Sequence, residues 1–210
     1  MTTTTLLCVT LAALAAAPQP RTEVPPLKNG DIVLQGSRST QALAIQEATA
    51  SPYNHVGVVE VAPDGVFVIE AIQPVSRTPF ERWRARGEGG RFTLLRHPGL
   101  TDESAASVLR EAKRFLGRPY DARFEWGDRR IYCSELVAKA FQRGAGVAVG
   151  RMQKIRELRI AGLLPSIRAR YGKRVNLDLE LLTPASLAED SRLRLVYSSV
   201  PGASATSTPR

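Results

Sequence analysis

The sequence predicts a small α+β domain, and three observations carry that prediction. Two β-rich apolar runs, 55–61 and 66–72, flank Pro63-Asp64-Gly65, a strong hairpin signal. Residues 102–116 place Val108, Leu109, Ala112, Phe115 and Leu116 on one helical face. A further helix is predicted from Cys133 to Gln142, with Leu136, Val137, Ala140 and Phe141 as its apolar stripe.

The chain of 210 residues is long enough for one domain with a real core. Its hydrophobic share of 43% and charged share of 23% are ordinary for a globular protein, which excludes disorder for the bulk of it. The net charge is +9, but the basic residues are scattered, with no dense run and no aromatic-interleaved stripe. The charge therefore reads as general attraction to acidic surfaces and not as a nucleic-acid motif.

The elements follow in chain order. Residues 1–17 read as a signal peptide: the run from Leu6 to Leu14 is apolar, and Ala15-Ala16-Ala17 supplies small residues for cleavage, although no Lys or Arg precedes the run. The run is too short to stay in a bilayer as a helix. A periplasmic or secreted bacterial protein without a stable membrane anchor is expected. Residues 18–28 are Pro-rich and read as a linker. Asp31 to Gln35 reads as a strand after the Asn29-Gly30 turn, and Ser39 to Ala50 as a helix that Ser51-Pro52 ends. Arg91 to Leu95 reads as a strand. Thr101 caps the helix that follows, and Gly117 ends it. Met152 to Ile160 is predicted helical, Thr183-Pro184 opens a short helix, and Leu193 to Tyr197 is the last strand. The Ser/Thr/Pro-rich end, 199–210, reads as a disordered tail, which leaves one domain over 29–198 with no repeats.

After removal of a signal peptide, Cys133 would be the sole cysteine, so no internal disulfide can form. A helix start favours thiolate over thiol, and its N–H groups can hold an oxyanion. An inert packed thiol is the plain alternative. A nucleophilic cysteine needs a base near neutral pH, and histidine is the usual one. Of the two histidines, His97 precedes Pro98-Gly99 and reads as a surface residue, whereas His55 opens a strand. A metal site is not expected, since one persistent cysteine and two distant histidines lack ligand spacing. Gly87-Glu88-Gly89-Gly90 lacks the lysine and helix of a phosphate loop. No cofactor is called for.

These pieces resemble a known family. His55-Val56-Gly57-Val58-Val59, Pro63-Asp64-Gly65 and Val68-Ile69-Glu70-Ala71 resemble the catalytic hairpin of NlpC-type papain-like hydrolases. Leu116-Gly117-Arg118-Pro119-Tyr120 with Tyr132-Cys133-Ser134-Glu135-Leu136-Val137 resembles their cysteine segment. Ordinary members carry the cysteine segment first. Here it comes second, as in a circularly permuted member. Gly30 to Val33, Ser39 to Gln46 and Ser51 to His55 resemble the YaeF/YiiX branch.

The resemblance implies a papain-like scaffold, with a small antiparallel sheet packed on the cysteine helix, and a Cys133-His55-Glu70 triad. Tyr120 and Ser134 are the positions it offers for substrate binding or the oxyanion. A bare two-residue turn at Asp64-Gly65 instead puts Glu70 opposite Val59 and Gln73 nearer His55, so Gln73 is the rival orienter. The activity implied is that of a cysteine hydrolase, an amidase or peptidase, cleaving an amide through a thioester. Its substrate would be a small molecule or peptide, cell-wall or lipid-derived, such as a cell-wall peptide or an N-acylated small molecule. The alternatives are a lipid ester hydrolase or acyltransferase on the same fold, or a non-catalytic binding module.

Overall fold

The computed structural model describes residues 23–38, 40–172 and 176–202. The predicted signal peptide, the start of the predicted linker and residues 203–210 lie outside the described residues. Eight strands are described: β1 (Ile32–Gln35), β2 (His55–Ala62), β3 (Gly65–Glu70), β4 (Ser76–Pro79), β5 (Thr93–Arg96), β6 (Met152–Lys154), β7 (Glu180–Leu182) and β8 (Arg194–Ser198). The helices are α1 (Thr40–Thr49), α2 (Phe80–Ala85), α3 (Asp102–Lys113), α4 (Cys133–Ala145), α5 (Leu164–Tyr171) and α6 (Pro184–Ala188).

Six strands form one antiparallel sheet in the order β4-β3-β2-β1-β5-β8, and β6 pairs with β7 in a separate ribbon. Both faces of the large sheet are covered, which explains why β1, β2 and β3 are more continuously apolar than one-sided strands. On one face Val56, Val58 and Ile69 meet Val108, Leu136, Val137 and Phe141 from α3 and α4. On the other, Val33, Val59, Val68 and Leu94 meet Phe80 and Trp83 of α2, with Phe92. The α+β, papain-like class predicted from the sequence is the class observed.

The helix α4 is central, and every residue from Cys133 to Phe141 is buried. It crosses α3 so closely that a Cβ on Gly144 would lie 2.5 Å from the Val108 backbone nitrogen. Its start is held from below by an ionic cluster in which Lys139 and Glu135 are buried and Asp128 is exposed. Lys139 Nζ pairs with Glu135 at 2.7 Å and Asp128 at 2.8 Å, and donates to the Gly127 carbonyl at 2.7 Å. The loop leading into Cys133 is thereby fastened to the helix it precedes.

Three stretches depart from expectation. Met152–Ile160 is not a helix: Met152–Lys154 pairs with Glu180–Leu182, and a single 3₁₀ turn follows at Ile155–Glu157. A strand partner remote in sequence outcompetes local helix preference there. The described part of the predicted linker is docked, with Val24 and Leu27 against the second core. The predicted disordered tail is anchored at its beginning, because the Ser199 N–H donates to the Phe92 carbonyl at 3.0 Å and Val200 packs on the main core.

Candidate active site

His55 opens β2 directly after a clasp between two loops. Asn54 Oδ1 accepts from the Ser37 N–H, and Asn54 Nδ2 donates to the Ser37 carbonyl, both at 3.0 Å. The clasp fixes the start of β2 beside the end of β1, where Gln35 pairs with His55.

The hairpin register then decides which residue faces His55. The connecting residues are Pro63 and Asp64, not Asp64 and Gly65, so Ala62 pairs with Gly65 and Gly57 with Glu70. This slides β3 by two residues from the expected register and leaves every side chain on its original face. Glu70 becomes the diagonal neighbour of His55, with Gly57 between them. A Cβ on Gly57 would sit 2.3 Å from Val68 Cγ1 and 3.4 Å from Glu70 Cβ.

Across this gap His55 Nε2 and Glu70 Oε2 are 2.5 Å apart. Gln73 is engaged elsewhere, accepting from the Tyr120 N–H at 2.6 Å. Glu70 is fully buried, and Arg86 Nη2 donates to both of its carboxylate oxygens, 2.5 Å from Oε2. Burial opposes ionisation of Glu70, but the bond to His55, its charge, and the bond to Arg86 hold the carboxyl below its usual range.

The imidazole also has the Cys133 thiol as a neighbour, close enough to favour its charged form. Burial works against the imidazolium, yet Cys133 and Glu70 outweigh it and raise the His55 pKa to about 9. Cys133 is 3% exposed and is the first residue of α4. The first intrahelical bond near it runs from the Leu136 N–H to the Tyr132 carbonyl at 3.0 Å. The N–H groups of the first turn therefore lack helical acceptors, and the positive end of the helix lies at the sulfur. Arg129 and Arg130, which precede it in sequence, are exposed, so the cationic group beside the thiol is His55.

Two other sequence-predicted positions have different settings. The Ser134 hydroxyl is committed to the Leu182 carbonyl at 2.7 Å, so only its N–H could serve an oxyanion. Tyr120 is half-buried, forms a bridge with Ile131, and stacks edge-on to Phe124. The cleft that Cys133 lines is walled by Phe124 and Tyr132 instead. Arg86 was not foreseen. It is one of three alternating arginines, with Arg82 and Arg84, and nothing in the sequence separates it from the others.

Comparison with known proteins adds three likenesses. Residues 26–197 match the family described as permuted papain-like amidase enzyme, YaeF/YiiX, C92 family. The uncharacterized protein YiiX of Escherichia coli (strain K12) is 37% identical over 194 residues, covering 91% of this chain and 93% of YiiX. A crystal structure described as metalloprotein yiiX from Escherichia coli O157:H7 superposes with a TM-score of 0.79 at 38% identity, covering 83% of this chain and 98% of that one.

Proposed function

The chain belongs to the permuted papain-like amidase family of YaeF and YiiX, and on that premise we propose that it is a cysteine amidase with Cys133 as nucleophile. The observation that carries this reading is the imidazole of His55, held by a buried carboxylate at 2.5 Å and neighbouring the Cys133 thiol at the start of α4. His55 takes the thiol proton, and the thiolate attacks an amide carbonyl carbon. The carbon–sulfur bond forms, and the oxyanion meets N–H groups of the first turn of α4, those of Cys133 and Ser134 among them. His55 returns the proton to the leaving nitrogen as the carbon–nitrogen bond breaks. Water then gives a proton to His55 and attacks the thioester, which frees the acid and the thiol. Glu70 orients the ring and stabilises its charged form. Arg86 acts one step further out, as a positioning residue for Glu70.

The related yiiX structure is described as a metalloprotein. In this chain Cys133 and His55 are two candidate donors, but Arg86 and His55 occupy the Glu70 carboxylate. Among the described residues no group of three or more His, Cys, Asp or Glu side chains could hold a metal ion. The donor set does not fit a resident metal, and no step here passes through one.

Export in front of this domain is part of the proposal. N-terminal sequencing of protein from periplasm or medium should find a start near Ala15 to Ala17, and an intact Met1 there defeats it. The catalytic reading is tested by iodoacetamide. Cys133 should be alkylated with loss of activity, and His55→Ala should slow that alkylation at neutral pH. An unchanged alkylation rate in His55→Ala, with activity kept, overturns it.

A further inference from the structure

Cys133 has a second neighbourhood on the side away from the sheet. It lines a cleft of about 130 Å³ formed between α4, α1, the 155–163 segment and β7. The walls are Ile45, Ile155, Leu158, Leu163, Leu181 and Leu182, with the ring of Phe124 near the thiol's own loop. No charged side chain lines it among the described residues.

The few polar side chains in the wall are already satisfied by the protein. Thr49 Oγ1 donates to the Ile45 carbonyl at 2.8 Å. The Tyr132 hydroxyl accepts from the Leu182 N–H at 3.1 Å, Ser134 donates to the Leu182 carbonyl, and Thr183 donates to Gln153 Oε1 at 3.0 Å. A ligand group entering the cleft therefore finds apolar surface and few unspent hydrogen-bonding partners. A charged or amide-rich group would lose its hydration there without replacement, at a cost of roughly 1–3 kcal/mol per unmet polar group. A hydrocarbon chain loses nothing and gains by burial.

We infer that this cleft holds the acyl half of the substrate, and that the substrate is an N-acyl amide with an unbranched hydrocarbon acyl chain. The inference rests on the Cys133 reading above and gives it a substrate class. The nucleophile lies in the wall, so a carbonyl at Cys133 can send its alkyl tail into the cleft while the amine faces His55 and solvent. The resulting thioester carries the same tail, and water releases it as a fatty acid. A cell-wall peptide, whose acyl side is polar and charged, does not match this half of the site.

The test uses 4-nitroanilides of acetate, butyrate, octanoate and dodecanoate with the full chain. The expected kcat/KM rises by about fourfold per added methylene until the cleft is full. A γ-glutamyl nitroanilide should be turned over least. Binding is read separately, by titrating dodecanoate into Cys133→Ala protein. Ala48→Phe, whose added ring projects from α1 into the cleft, should weaken that binding at least tenfold and shift the length optimum downward. Ala44→Leu is a milder second variant, and thermal melts check that both fold. A flat length series, or preference for the charged acyl group, overturns the inference and leaves the nucleophile assignment standing. Saturable dodecanoate binding with no turnover of any amide or matching ester does the reverse: the cleft stands and the amidase reading falls. Turnover of the esters alone, with the same length dependence, keeps the acyl cleft and replaces the amide by an ester.

Discussion

The two flanks of Cys133 are built in opposite ways. On the sheet side three side chains are bonded in series: half-buried His55, fully buried Glu70 and exposed Arg86. On the cleft side the walls are mostly apolar, and the polar groups in them are bonded to the protein itself. The comparison teaches a division of labour. Positions of charge must be held by regular strand pairing, where one residue of register decides a partner. A surface that only excludes water can be assembled from short turns and helix ends.

The sharpest way to break this contrast is to remove the charge side altogether. Cys133→Ala and His55→Ala should each lower kcat by about 10⁴-fold or more, and the double variant should be no worse than either, because both disable one step. Additive losses in steady-state kinetics would mean that the two do not act as a unit.

Glu70→Gln comes next, with a loss of about a hundredfold or more and a change in pH dependence. The sign follows from His55. Its pKa is raised to about 9, so the pair's contribution is full below the ordinary imidazole value of about 6.5 and is lost as pH rises through about 9. Removing the carboxylate should pull the alkaline limb of kcat/KM to lower pH. Arg86→Met should push the same limb the other way, since a cation that offsets the Glu70 carboxylate near His55 is then gone, and should cost only a few-fold in rate. pH profiles of the two variants that move in the same direction would refute the chain of interactions.

Gly57→Ala tests the space between His55 and Glu70. Its Cβ would overlap Val68 and crowd Glu70. It should destabilise by about 1–3 kcal/mol in urea unfolding and lower activity while leaving the cleft's length preference intact. The smallest effect belongs to the cleft side. Ser134→Ala deletes one bond to Leu182 and should cost about 1 kcal/mol of stability. Its kinetic signature should be a blunted response to acyl length, with the alkaline limb in place.

The same division explains what could be read from the sequence. His55, Glu70 and Cys133 sit at the ends of regular elements, and their motifs are local, so the residues that meet in the site were legible. The register was not, because one choice of turn residues, Pro63-Asp64 over Asp64-Gly65, decides between Glu70 and Gln73 and both choices read alike. The helix expected over Met152 to Ile160 fails for a different reason. Ile155, Leu158 and Leu163 lie in single turns too short to show a period, and Met152–Lys154 is a strand only because Glu180–Leu182 pairs with it. Arg86 follows a six-residue helix, and its meaning exists only once Glu70 is placed.

The order of segments along the chain has a consequence for synthesis. His55 and Glu70 are fifteen residues apart within one hairpin, so their contact closes a short loop and forms early and locally. Cys133 joins them only through contacts distant in sequence, and the cleft wall at Leu181 and Leu182 comes later still. A chain emerging from its N-terminus therefore makes His55 and Glu70 before it has made Cys133. The proposed catalytic group is complete only when the C-terminal half has docked.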